Sequence, residues 1–399
     1  IEACLVGSEM CIRDRYTEHG PAIETPHGIY AIRYAGMGEV KQIEQWLAMN
    51  KATNFEEWLA ALAQHTFASF NFVYSDKDGN IALIHNSMTP VRIPGYNWHN
   101  YLPGDKSSLI WDRYISFEKL PMVINPSSGY LISANQSPFF VTSDKDNPDR
   151  KNYSNEDGFP TRMTNRAVRG LELLSELDKI DEQTFSAIKH DKKYSKNSRA
   201  YKYLEKAMLA DLGDLNTQKH EIYANAQTIL KKWDLSTDKN NRGAALGTCI
   251  IGAEWLAEQQ GENPPDPSGE LKRCTDLLLD KIGRIDPKWG EVNRHIRGEI
   301  NVALGGGPDT LRAIYGLGLE EKGYLTNIAG DGLYYLVSWD KDKKQKVLGI
   351  HQFGSATLDE NSPHYADQAL DFANEILHDP LFDANKRQQK LDRRYRPGQ

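Results

Sequence analysis

The residues best placed to do chemistry lie in one run, FASFNFVYSDKDGNIALIHNSMTPVR (67–92). It reads as two strands joined at Asp78-Gly79, a turn that uses glycine's tolerance of positive φ. Side chains alternate along a strand, so Phe70, Phe72 and Tyr74 share one face. Ser69, Asn71, Val73 and Ser75 share the other. The aromatic face reads as core, and Asn71 stands on a small, polar face. If that face is also covered, the amide needs a partner, because burying it unpaired costs about 1–3 kcal/mol. Two solutions are open. One is a structural hydrogen bond to a neighbouring loop. The other is a cavity in which the amide NH₂ points at a ligand or a developing oxyanion.

Other chemical signatures are weak. Counting from Asp76, an EF-hand would need Gly at 81 and Glu at 87, and the sequence has Ile81 and Ser87. ALGGGPDT (303–310) is glycine-rich without the GK[ST] of a phosphate-binding loop. There is no GxSxG, HExxH or CxxC, and the histidines are scattered without zinc-like spacing. On residues alone, this is a large α+β protein with no self-contained catalytic constellation.

Stepping outward, GIYAIRYA (28–35) and SSGYLISAN (127–135) read as strands. Residues 39–49 and 54–64 read as helices, the second with Asn54 as its N-cap. From about Thr161 to Asp280 the pattern turns helical. Ile222, Ala226, Ile229, Leu230 and Trp233 share one helix face. Similar stripes occupy 162–177, 182–190, 200–211, 243–258 and 269–281, the last two separated by Pro264, Pro265 and Pro267. Strands return at 323–340 and 346–354 as a pair joined by a charged turn, and a helix is expected from about Tyr365. Strand-rich ends around a helical middle, with no linker, predict one sheet system carrying a helical insertion.

The chain has 399 residues, 39% hydrophobic and 26% charged, with a net charge of −7. That composition supports a sizeable core. It gives no electrostatic reason to expect nucleic acid or an anionic membrane as partner. No apolar run is long enough to span a bilayer. The opening, IEACLVGSEMCIRDR, has no signal-peptide design, and VGSEMCIRD resembles a translated sequencing-adapter remnant. Residues 1–15 are therefore set aside. This leaves Cys249 and Cys274, either bridged or buried as reduced thiols, the second being the commoner fate.

Several segments, in order, resemble the β-subunit of the penicillin acylase family of N-terminal nucleophile hydrolases. The likeness is to the branch with acyl-homoserine lactone and aculeacin-type acylases. These segments are HGPAI (19–23), residues 30–58, the hairpin around Asn71 and SSGYLISANQSP (127–138). The later ones are WGEVNRHIRGEI (289–300), GGGPDTLRAIYG (305–316), SPHYADQ (362–368) and YRPG (395–398). The resemblance implies a partial four-layer αββα sandwich over residues 16–399. Its parts would be a strand-rich part at 16–150, a helical insertion at 160–282 and a strand-rich part at 285–399. It also implies a linear-amide hydrolase whose nucleophile is an N-terminal serine exposed by self-cleavage. The serine's own α-amine would be the base. Asn71 would then be an oxyanion donor; Arg92, where some members hold an arginine near the site and others differ, would be either a residue near the substrate or part of a surface or structural ion pair.

The sequence departs from the family where that serine should stand, upstream of His19. Ser154-Asn155 echoes the family's Ser-Asn start but lies on the wrong side of Asn71, and Ser8 falls in the segment set aside. His364 and Tyr365 read as structural. The expectation is a fragment of an acylase acting on a small N-acyl molecule, such as an acyl-homoserine lactone or a β-lactam. Its partners would be the absent α-subunit and the absent N-terminal part of the β-subunit. No cofactor is expected, although calcium binds some family members. Family analogy places the protein in the periplasm or outside the cell. A non-catalytic descendant that only binds or packs is the alternative.

Overall fold

The computed structural model describes residues 15–391 and residue 396. The chain divides into two compact units, 1–162 and 163–399. Helices and strands are mixed throughout, an α+β protein. Among the described residues each hydrogen-bonded sheet lies inside one unit.

The first unit opens with a three-stranded antiparallel sheet of β1 (Arg15–Thr17), β2 (Gly20–Thr25) and β3 (Gly28–Ala31). Arg15, counted with the segment set aside, pairs with Ala22, while residues 1–14 lie outside the described residues. Two helices follow, α1 (Gln42–Lys51) and α2 (Phe55–Leu62). Asn54 caps α2 as expected: its Oδ1 accepts from Glu57 N at 2.8 Å, and Glu57 reaches back to Thr53 N at 2.8 Å. Phe55, Trp58, Ala61 and Leu62 face inward from α2.

They meet one face of a second antiparallel sheet, ordered β4 (Ser69–Ser75), β5 (Ile81–Ser87), β6 (Met122–Ile124). Phe72, Ala82 and Ile84 supply that face. Gly79 takes φ +89° in the β4–β5 turn, and the Asp76 carboxylate there accepts from Asp78 N, Asn80 N and Tyr74 Oη. The acid staples the turn. The predicted strand at 127–135 does not form. Several of its backbone groups go to side chains instead: Ser128 N donates to Asp146, Tyr130 O accepts from Thr142 Oγ1, and Ala134 N donates to Gln136 Oε1, while Ile132 N donates to Val141 O.

The second unit begins with six helices: α3 (Asn165–Ser175), α4 (Glu182–Lys189), α5 (Arg199–Leu209), α6 (Thr217–Lys232), α7 (Ala244–Gln260) and α8 (Pro267–Ile282). All six match predicted stripes. Thr164, Asp181, Ser198, Asn216 and Asp266 cap five of them, and Gly261 and Gly283 end α7 and α8 in the left-handed region. Leu204, Leu230, Leu246, Ile250, Leu271 and Leu278 form the core shared by α5, α6, α7 and α8. Gly247 is required here, because a Cβ would sit 2.1 Å from the Trp233 ring. Cys249 and Cys274 join α7 to α8 as a disulfide, with Cα atoms 6.0 Å apart. That corrects the expectation of reduced thiols. Facing helices supply the bridging distance, which the sequence separation of 25 does not reveal. A loop of this length is worth about 3 kcal/mol in the entropic model.

A mixed sheet follows, ordered β8-β7-β10-β9, from β7 (Asn293–Arg297), β8 (Ile300–Ala303), β9 (Ile314–Leu317) and β10 (Leu325–Gly330). β7 and β10 run parallel and the other pairs antiparallel. β11 (Tyr334–Trp339) and β12 (Gln345–Ile350) form a separate hairpin. The apolar run 323–340 is thus two strands, broken at Asp331-Gly332 and sent to different sheets. The helix expected from Tyr365 starts later, at Ala369–Ala373. Residues 362–368 are held instead as turns, in which Tyr365 N donates to Ser362 O.

Candidate active site

Asn71 lies in the middle of β4, half-buried, on the face opposite Phe72. β5 runs antiparallel beside it, and the register places His85 directly across. The two side chains meet: His85 Nδ1 donates to Asn71 Oδ1 at 2.6 Å. Asn71 Nδ2 has no hydrogen-bond acceptor among the described residues. One half of the carboxamide is therefore committed to the sheet and the other is free to donate. His85 belongs to the central strand and is 5% exposed. Phe159 meets its ring edge-on, with centroids 5.6 Å apart.

Burial holds the His85 imidazole neutral by lowering its pKa from the ordinary 6.5 to about 4. The bond to Asn71 fixes the hydrogen on Nδ1. Between those two values the unfolded chain carries a proton that the folded chain lacks, so stability rises with pH across this window. The contribution is complete above about pH 6.5 and disappears as pH falls through about 4. The difference is worth about 3 kcal/mol, of which about 2 is gone at pH 5. Imidazolium still donates from Nδ1, so the loss reflects desolvation of the charge rather than a broken bond. Amide exchange in β4 and β5, corrected for intrinsic rates, is expected to show this loss between pH 7.5 and 5. His85→Leu is expected to abolish it. Equal slopes in the two proteins would assign the acid sensitivity elsewhere.

Arg92 is anchored close by. Its Nη1 donates to Glu156 O at 3.0 Å, and its guanidinium lies 5.4 Å from the Trp98 ring centroid and 5.9 Å from that of Trp111. Burial lowers its pKa, opposed by the charge of Asp157. A Cβ at Gly158 would stand 2.5 Å from Nη1, so glycine makes room for the guanidinium. The loop 156–159 thus touches Arg92 through Glu156 and Gly158, and His85 through Phe159. Arg33 packs on Trp111 at 4.9 Å and donates to its carbonyl at 2.7 Å.

The remaining candidates play local roles. Ser154 Oγ donates to Glu156, and its backbone N is an ordinary amide donating to Asp157 at 2.8 Å, so it offers no α-amine. Asn155 Oδ1 accepts from Arg150 at 2.8 Å. Ser8, and the tyrosine, proline and glycine of YRPG, lie outside the described residues. His364 pairs with Asp367 at 2.8 Å, and the Tyr365 ring lies 3.6 Å from the Arg297 guanidinium. Both readings as structural agree with these contacts. No group of three or more His, Cys, Asp or Glu that could hold a metal ion occurs among the described residues. His85, Phe159, Trp98 and Trp111 escaped the sequence reading. His85 had a usable signal, since equal steps out from Asp78 in a tight hairpin reach both Asn71 and His85.

No helix among the described residues is long and apolar enough to cross a membrane. The sequence pattern of the family described as penicillin amidase matches residues 7–389, which overlaps the end of the opening segment set aside. The penicillin G acylase of Escherichia coli is 33% identical over 126 residues, spanning 31% of this chain and 15% of that protein. A solved structure of a thermostable penicillin G acylase from Alcaligenes faecalis superposes with a TM-score of 0.61 at 16% identity. That match covers 96% of this chain and 77% of the other. With the family pattern running through both units, the chain belongs to the penicillin amidase family.

Proposed function

We propose that the chain is part of an amide hydrolase that removes an N-acyl group from a small molecule, such as an acyl-homoserine lactone or a β-lactam. Asn71 Nδ2 is one donor of its oxyanion hole. The nucleophile is an N-terminal serine on a segment outside this chain, exposed by self-cleavage of a precursor. The observation that carries this reading is the divided carboxamide, with Oδ1 held by His85 and Nδ2 free to donate.

The α-amine of the serine takes the hydroxyl proton, and Oγ attacks the acyl carbon. The carbonyl oxygen becomes an oxyanion, which Asn71 Nδ2 and a backbone N–H stabilise. The tetrahedral intermediate collapses, the amine leaves with the proton, and water then hydrolyses the acyl-serine. The complete enzyme has the four-layer αββα architecture. Arg92 keeps its Nη2 without a partner among the described residues, which suits a place at the substrate's edge. The Cys249–Cys274 bridge supports an oxidising compartment, the periplasm or the exterior.

The test compares this chain with the longer reading frame that contains it. Both are assayed against N-acyl-homoserine lactones and phenylacetyl amides. Turnover is expected from the longer protein alone. Turnover by the 399-residue chain would show the nucleophile misplaced, and none from either would favour a binding protein.

A further inference from the structure

We infer that His85 is a positioning residue of the oxyanion site, setting the orientation of the Asn71 carboxamide so that Nδ2 is the half offered to the reacting carbonyl. This rests on the reading of Asn71 as an oxyanion donor. A carboxamide on a strand can rotate end for end, and its two ends are nearly the same size. One orientation offers an oxyanion two N–H donors. The other offers it a carbonyl oxygen, which repels it. Catalysis by Asn71 therefore needs a device that tells oxygen from nitrogen.

His85 is such a device. It is the cross-strand partner of Asn71, and its Nδ1 lies 2.6 Å from Oδ1. With the hydrogen on Nδ1, a reversed carboxamide would bring two N–H groups face to face, so the preference lasts as long as the imidazole keeps that tautomer. The strand that carries the imidazole is fixed, and the ring has a packing partner of its own. The His85 backbone N donates to Pro121 O at 3.0 Å, which ties this part of β5 toward β6. Phe159 closes on the ring edge-on. Leu83, on the same face of β5, is buried with Val123 and Val141. A bond between opposed residues of one antiparallel ladder also holds with little reorganisation, because the backbone fixes both Cβ atoms. His85 touches no reacting atom, and its effect reaches the reaction only through Asn71.

The first test needs no turnover. In the 399-residue chain with ¹⁵N-labelled histidine and asparagine, long-range ¹H–¹⁵N correlation is expected to show His85 protonated on Nδ1. The Asn71 NH₂ pair should appear as two resolved, slowly averaging resonances. Protonation on Nε2 instead would overturn the inference. The second test uses the longer acylase. His85→Leu is expected to lower kcat about 10-fold with KM unchanged, the loss of one neutral hydrogen bond's orienting preference. His85→Gln, whose own carboxamide can meet Asn71 with either end, is expected to keep a bond there yet recover only part of that loss. A kcat unchanged in His85→Leu, while Asn71→Ala is strongly impaired, would overturn the positioning role alone. A kcat unchanged in Asn71→Ala would remove the reading on which it rests. If His85→Leu does not fold, His85→Gln and the tautomer decide.

Discussion

Asn71→Ala is expected to lower kcat of the proposed acylase by about 10²–10³ while changing KM little. The reasoning turns on when the Nδ2–H bond forms. A neutral amide carbonyl in the ground state draws little from one more donor. The oxyanion draws a great deal, because its charge has moved onto the oxygen. Loss of the donor therefore raises the barrier and leaves binding almost untouched. The stability cost should be much smaller. Asn71 is half-buried, and its removal deprives the sheet of one side-chain bond, about 1 kcal/mol. Steady-state kinetics on a phenylacetyl amide, with correct processing confirmed by intact mass, separates the two effects. A kcat within threefold of the parent would place Asn71 outside the oxyanion hole.

The sequence posed Asn71 as a choice between a structural bond and a functional donor, and the structure gives Oδ1 a structural bond while Nδ2 has no acceptor among the described residues. The partner is 14 residues away in the chain, and only the hairpin register counted out from Asp78 links the two. Features carried by local chemistry were legible. Asn54 caps its helix, Gly79 turns its hairpin, and the helices of the second unit start and stop at their polar caps and glycines. Features decided by neighbours were not. The stretch 127–135 alternates like a strand, but no strand comes to pair with it. The run 323–340 looks continuous because its break, Asp331-Gly332, is short. The division at 162–163 has no proline- or glycine-rich linker to betray it. The cysteines illustrate the same limit, since their pairing depends on how two helices face each other.

Asp331→Ala is expected to cost the second unit about 3–5 kcal/mol, more than removal of either cation it binds. Asp331 Oδ2 accepts from Lys189 Nζ at 2.6 Å and from Arg312 Nη1 at 2.9 Å. Arg312 is completely buried, and the Lys189 pKa is lowered by burial against the pull of Asp331. Removing the carboxylate leaves two cations facing each other in low dielectric with their shared anion gone. Glu375 cannot replace it: it lies 3.9 Å from Arg312 Nε and is already bonded to Lys192 at 2.7 Å. The converse change is milder for electrostatic reasons. Arg312→Met leaves Asp331 with Lys189 and Glu375 with Lys192, so no carboxylate is stranded. Its cost is chiefly the Phe372 carbonyl, which loses a donor at 2.7 Å. The order of effects, Asp331→Ala above Arg312→Met, follows from which substitution strands a buried charge. Urea denaturation of the two variants, with amide exchange in β9 and β10 to localise the loss, measures it. Equal costs would mean that solvent reaches Lys189 and Arg312 well enough to replace the acid. Such access would contradict the complete burial of the guanidinium, around which Asp331, Phe372 and Glu375 are arranged.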